Sequence, residues 1–342
     1  SLHDALPIFK VVDDEKMIRK YARQFARSFK PFADETVKVR LGHQGASIPA
    51  KVSWSKKLGI WSCSQTLLQV RYGNVFGMGK PKEGSHPAIT AEINFPWSGI
   101  DRKTGATFAA DAWNRVYVVH RGKIGGGKKG IGKSLFEENY RGLWAWMEDG
   151  ETLTQVAVIG ALQSPRFALQ AALFVRKIGK LKEAASFSRQ TSLNFSDVSF
   201  REELIGVPPS STGDDLGGAC DHDIIVGQLA ALFHRWKYKA GNDAEGELYL
   251  MQPGNDKISY VLAVPADSTE KSVLSTAARL LIQKSDAGGH PEAVLLLPED
   301  KLNVYVQLLE RIDIMVLAYR LEAERIIFPD LGKMRLDQNS QL

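Results

Sequence analysis

The densest chemistry in this chain lies in Gly122–Ser134, which reads Gly-Lys-Ile-Gly-Gly-Gly-Lys-Lys-Gly-Ile-Gly-Lys-Ser, six glycines interleaved with four lysines. Glycine brings main-chain N–H groups close to a ligand because no Cβ stands in the way, and lysine adds positive charge, so the loop suits an anion such as phosphate. Arg121 directly precedes it. Together with Lys123, Lys128, Lys129 and Lys133 it makes five positive groups available to grip a nucleic-acid backbone. Upstream, Glu92, Asp101, Asp111 and His120 are the residues that could gather beside the loop to hold a divalent ion or move protons, or else act as turn acids and a strand-end histidine.

The phosphate could instead belong to a nucleotide. Gly127, Gly132, Lys133 and Ser134 satisfy the Walker A pattern G-x-x-x-x-G-K-[ST], in which amides cradle phosphates, the lysine reaches the β/γ oxygens and the hydroxyl ligates Mg²⁺. The surroundings fit that use less well. His120 to Gly126 separates the loop from the strand before it, and the following helix has room only to about Arg141 before Gly142. No four-residue apolar run followed directly by Asp supplies a second Mg²⁺ ligand; in Ala293–Asp300, Pro298 intervenes.

Charge divides the chain. Residues 1–200 carry 30 Lys+Arg against 17 Asp+Glu, a net +13, and residues 201–342 carry 14 against 22, a net −8. A basic half beside an acidic half points to a polyanion-binding domain next to one with another task. Only Cys63 and Cys220 are present, which excludes a disulfide framework and a Cys-rich zinc site. The longest apolar runs, such as Val116–Val119 and Val294–Leu297, are far shorter than the roughly 18 residues needed to span a bilayer. No membrane partner and a cytoplasmic location are therefore expected. The opening residues Ser-Leu-His-Asp-Ala-Leu-Pro lack an initiator Met and carry no weight in this reading.

The elements that must position the loop follow from periodicity. Residues 13–32 predict an amphipathic helix, with acids first and Met17, Ile18, Tyr21, Phe25 and Phe29 at helical spacing. A polar stretch runs to about Lys51. From Trp54 to Met78, Trp61, Tyr72 and Phe76 lie among bases at what reads as helical spacing, as core or as a base-stacking surface. Extended runs at 88–95, 106–110 and 115–120 predict an antiparallel meander that ends at the glycine-lysine loop. A short helix near 135–140, a buried strand at 153–162 and a helix at 164–185 complete a basic α+β domain over 10–200. Ser, Gly, Pro and Asp enrichment marks 187–222 as a linker.

Beyond it, an acidic α/β domain over 221–335 alternates helix 223–239, strands 247–251 and 257–264, helix 268–285, strand 292–297, helix 300–311, and strands 314–319 and 325–328 around a mixed central sheet. This helix-strand-strand-helix-strand order resembles the core of PD-(D/E)xK nucleases, the restriction-endonuclease-like superfamily. The resemblance implies an Mg²⁺-dependent endonuclease in which an acid at the start of one strand and an acid-x-lysine on the next hold the metal. Glu247, or nearby Asp243 or Glu245, matches the first acid. The acid and lysine positions fall on Ala263 and Pro265, so a migrated pair, Glu270 and Lys271, is the candidate replacement unless the domain is inactive.

The expected function is a DNA-binding protein of restriction or phage-defence type, its basic domain gripping duplex DNA and its acidic domain nuclease-like. A homodimer is compatible with this layout. The alternatives are a nucleotide-binding protein using Gly127 to Ser134 with Mg²⁺, and a non-enzymatic assembly protein.

Overall fold

The computed structural model describes residues 8–43, 46–67, 70–125, 130–186, 199–206, 216–242, 247–251, 257–287, 290–334 and 336. The chain forms two compact units, Ser1–Arg189 and Gln190–Leu342, each of mixed α+β character. Among the described residues, no helix is long and apolar enough to cross a membrane.

In the N-terminal unit the order is β1 (Ile8–Val11), α1 (Glu15–Ser28), β2 (Glu35–His43), β3 (Ala46–Ser55), β4 (Ile60–Leu67), β5 (Arg71–Met78), β6 (Ala91–Glu92), β7 (Phe95–Pro96), β8 (Ala106–Ala110), β9 (Val116–His120), α2 (Lys133–Asn139), β10 (Trp144–Asp149), β11 (Thr152–Ala161) and α3 (Phe167–Ser186). The order β1-β10-β11-β9-β8 closes a five-stranded barrel in which only the β1–β10 pairing is parallel. A second, antiparallel sheet runs β2-β3-β4-β5-β6, with β7 also on β5.

The helices form where capping and apolar spacing agree. Asp14 caps α1 by accepting the Met17 N–H at 2.8 Å, Glu15 pairs with Arg19 one turn on, and Pro31 in the next turn ends it. Its buried face, Ile18, Tyr21, Ala22 and Phe25, enters one core with Phe76, Phe95, Phe108 and Phe167. Within that core Phe25 meets Phe76, Phe95 and Phe167 edge-on. Alanines 168, 171 and 172 give α3 a low profile that lets it lie close to the strands.

The expected polar stretch and helical run between Asp34 and Met78 are strands instead. Val37, Val39 and Leu41 alternate with exposed Thr36, Lys38 and Arg40, a period of two, and pack with Val52, Trp61 and Cys63 in a second core. The chain leaving β5 then returns to the free edge of β2, where the Gly84 N–H donates to Lys38 O at 2.8 Å and the Arg40 N–H to Ser85 O at 2.9 Å. This curls the sheet around the second core. Trp61 and Phe76 are buried, and Tyr72 stacks on Trp97 with centroids 5.0 Å apart, so all three are packed against protein.

The C-terminal unit contains α4 (Leu216–Arg235), β12 (Lys239–Asn242), β13 (Leu248–Met251), β14 (Ile258–Ala263), α5 (Glu270–Asp286), β15 (Glu292–Pro298), α6 (Leu302–Glu310), β16 (Ile314–Glu322) and β17 (Arg325–Ile327). Helix α4 thus begins inside the stretch expected to be linker. The sheet order is β12-β13-β14-β15-β16-β17. Pairing is antiparallel from β12 to β14, parallel from β14 to β16 and antiparallel again to β17. Val273, Ala277 and Leu280 of α5 and Leu309 of α6 cover one face, against Val261, Leu295 and Val316.

Candidate functional site

Strand β9 leads into the glycine-lysine loop and is flanked by antiparallel neighbours on both sides, β8 and β11. Its last residue, His120, is buried, and its Nδ1 accepts the Gly122 N–H at 3.0 Å. Burial, followed by the adjacent Arg121 charge, pushes its pKa down from 6.5 to about 3, so the imidazole is neutral. Position 105 has to be small here, because a Cβ on Gly105 would stand 2.7 Å from His120 Nε2.

Arg121 does not reach outward, contrary to the expectation of a backbone contact. It is 8% exposed. Its Nε and Nη2 donate to Asp149 Oδ2 and Oδ1 at 2.9 and 2.8 Å, and its Nη1 donates to Thr104 O at 3.1 Å. The bidentate pair ties β9 to the end of β10 inside the unit.

Past Gly122, whose φ of +92° turns the chain, Ile124 and Ile131 are both buried and exchange main-chain hydrogen bonds at 3.1 and 3.0 Å as an antiparallel bridge. The two ends of the loop are therefore held together by two buried isoleucines. Gly132 then caps α2, which is seven residues long. A Walker A site leads from a strand through an amide cradle into a long helix, whereas the helix after Gly132 ends at Asn139, so the surroundings of Gly132, Lys133 and Ser134 give the nucleotide reading of Gly127, Gly132, Lys133 and Ser134 little support. Lys133 lies in the first turn of α2 and pairs with Glu137 at 3.5 Å, and Ser134 is exposed beside it. Gly127, Lys128 and Lys129 lie outside the described residues.

Below the loop is a cavity of about 360 Å³. One wall comes from the loop and the β8–β9 hairpin, with His120, Lys103 and Lys123; the other comes from the second sheet, with Arg71, Glu92 and Asn94. Lys103 and Lys123 are exposed at the rim, whereas Arg71 is half-buried and has no hydrogen bond or ion pair among the described residues. The Glu92 Oε2 accepts from Asn94 Nδ2 at 2.7 Å. From α3, Lys182 donates to Gly125 O at 3.0 Å, pinning the loop over the cavity, and burial lowers its pKa. A half-buried guanidinium without a counter-ion is costly unless a ligand supplies the anion, and two rim lysines extend the same field.

The acids expected to gather here separate. Glu92 and His120 share the cavity, Asp101 is taken up by Thr104 Oγ1 at 2.7 Å and the Lys103 N–H at 2.9 Å, and Asp111 by Arg115 at 2.6 Å. The Thr104 bond leads the causes that hold the Asp101 pKa below its ordinary value. Among the described residues, no group of three His, Cys, Asp or Glu side chains is arranged to hold a metal.

The nuclease candidates do not converge either. Glu247 directly precedes β13 but is buried, and both its oxygens are bound from α5, Oε1 by Arg279 and Oε2 by Gln283 Nε2 at 3.0 Å. Glu270 and Lys271 are exposed in the first turn of α5, where the Thr269 side chain caps by accepting the Ser272 N–H. Ala263 ends β14 and Pro265 follows. Glu245 lies outside the described residues. An internally paired Glu247 and a helix-start Glu270 do not fit Mg²⁺, which calls for several converging oxygens.

Sequence reasoning passed over Arg71 and Lys103. Arg71 was legible only as a base beside Tyr72; its place opposite Lys123 depends on the pairing of β5 with β6 and β7. No family model matches this chain, and comparisons with curated proteins and with solved structures return no match.

Proposed function

We propose that this chain binds nucleic acid through its N-terminal unit, with duplex DNA as the partner. The observation that carries the reading is the cavity on which Arg71, Lys103 and Lys123 converge, with Glu92 as the single carboxylate among its described lining residues. The +13 net charge of residues 1–200 gives the surrounding field the same sign. The glycine-lysine loop then serves as a basic hairpin over the binding cavity. The C-terminal unit, with its α-β-β-β-α-β succession, is read as a restriction-type scaffold in which the acid of the first metal position has become an internal ion pair. That makes its part in a defence-type protein one of support or partner recruitment.

Nitrocellulose filter binding of duplex DNA between about 50 and about 300 mM salt tests this, because each phosphate neutralised adds roughly 0.9 to the slope of log K against log salt. The double variant Lys103→Ala, Lys123→Ala is expected to flatten the slope by roughly two phosphate contacts. Binding that ignores salt, or an unchanged slope in the variant, overturns the proposal.

A further inference from the structure

Beside the cationic cavity lies a smaller one of about 80 Å³, walled by Leu41, Ile48, Val75 and Ile89. The two share Arg71, Glu92 and Asn94, so an apolar slot and a cationic chamber meet at one polar wall. Within that wall Asn94 is committed: its Oδ1 accepts the Asn74 N–H at 2.8 Å and its Nδ2 donates to Glu92 Oε2. Glu92 Oε1 and the Arg71 guanidinium are left without a hydrogen-bond partner among the described residues.

We propose that slot and chamber together hold one unstacked nucleotide of the bound strand, its base entering the slot and its phosphate resting on Arg71, Lys103 and Lys123. The inference rests on the nucleic-acid reading above. Ligands with an apolar flat body, a polar edge and an anionic tail match this order of walls, and a nucleotide is the unit of a nucleic acid that has all three. Size narrows the base. The slot is smaller than the roughly 150 Å³ that takes a benzene ring, so a ring fits only by leaving its polar edge in the shared wall, which favours a pyrimidine over a purine. At that edge a carboxylate oxygen accepts hydrogen bonds but donates none; position 4 of the ring carries an N–H2 donor in cytosine and an acceptor oxygen in thymine, whose one edge donor is N3–H, so a Glu92 carboxylate facing position 4 favours cytosine.

The test uses the full chain and oligonucleotides with 2-aminopurine placed next to a single cytosine or a single thymine, since its fluorescence rises when the neighbouring base leaves the stack. A several-fold rise on protein addition, larger beside cytosine, is expected. Ala50→Met, which fills the slot, should remove the rise while salt-dependent filter binding persists. Ile48→Trp, at a rim position 41% exposed, closes the mouth without touching the core and should do the same. Glu92→Gln should erase the preference for cytosine. Persistent binding with no fluorescence change in the unaltered protein overturns this inference and leaves the backbone-binding reading standing. Absence of filter binding overturns that reading too. Calorimetric binding of cytidine monophosphate, lost in Ala50→Met but without any strand binding, overturns the strand as the source and assigns the site to free nucleotides.

Discussion

Replacing Glu247 should destabilise the C-terminal unit, and the two sides of its ion pair should not be equally sensitive. The carboxylate is fully buried, whereas the Arg279 side chain is 27% exposed. Removing one partner from a buried pair costs about 3–5 kcal/mol, most of it the penalty for the charge left behind. Glu247→Ala strands a guanidinium that already touches solvent, so its cost falls near about 3 kcal/mol. Arg279→Ala strands the fully buried carboxylate itself, with Gln283 Nε2 still 3.0 Å from Oε2, and belongs near about 5 kcal/mol. For a unit of this size each kcal/mol moves Tm by about 2–4 °C, giving losses of about 6–12 and about 10–20 °C. The double variant Glu247→Leu, Arg279→Leu removes both charges and should be more stable than Arg279→Ala alone. Native-state hydrogen exchange at β13 and β14 reads the free energies locally. A cost below about 1 kcal/mol for Glu247→Ala, or a reversed order of the two single variants, refutes the assignment of this pair to structure.

His120 makes the N-terminal unit sensitive to mild acid. Its folded pKa of about 3 lies below the ordinary 6.5, so its contribution is complete above about pH 6.5 and is lost as pH falls toward 3, by up to about 1.4 kcal/mol per unit. Hydrogen exchange at β9 between about pH 7 and about pH 5 should show that slope, and His120→Gln should lack it; an equal slope in both contradicts the neutral buried imidazole. A Cβ added at Gly77 would fall inside the Trp61 indole across the β4–β5 pairing. Gly77→Ala should cost about 1–3 kcal/mol in urea unfolding. Adding Trp61→Phe should recover part of it, because the ring shrinks and the indole N–H has no hydrogen-bond partner among the described residues to lose; strictly additive costs would refute the contact.

The C-terminal elements were legible because each is written locally. Val294 to Leu297 forms a continuous apolar run, as a strand buried on both faces does, and the polar run from Asp267 marks the start of α5, where the sequence predicts Asp267 or Ser268 as the cap and Thr269 is the one found. The expected bounds there are close to the observed ones. The second sheet was hidden because its strands are defined by partners. Between Val37 and Leu41 the period of two is present but dressed in lysine and arginine, and Trp61, Tyr72 and Phe76 happen to fall at intervals that mimic a helix face. The same non-locality hid the site. Arg121 carries the charge of a loop residue, and nothing near it in sequence announces Asp149, which reaches it across the barrel. Likewise Arg71 and Lys123 become neighbours only when two sheets meet.

The parallel pairing of β1 with β10 has a consequence for synthesis. Ile8 aligns with Trp146, and Phe9 packs on Tyr117 with ring centroids 4.9 Å apart. A ribosome adding about 5–20 residues per second needs roughly 7–30 s between making the first strand and its last neighbour. Through the first part of that interval neither β8 nor Tyr117 has been made, and β1 can then gain only those partners, with its parallel neighbour still missing. Strand β1 is thus made well before its parallel neighbour, and the nascent chain must keep that edge from other partners until Trp146 has emerged.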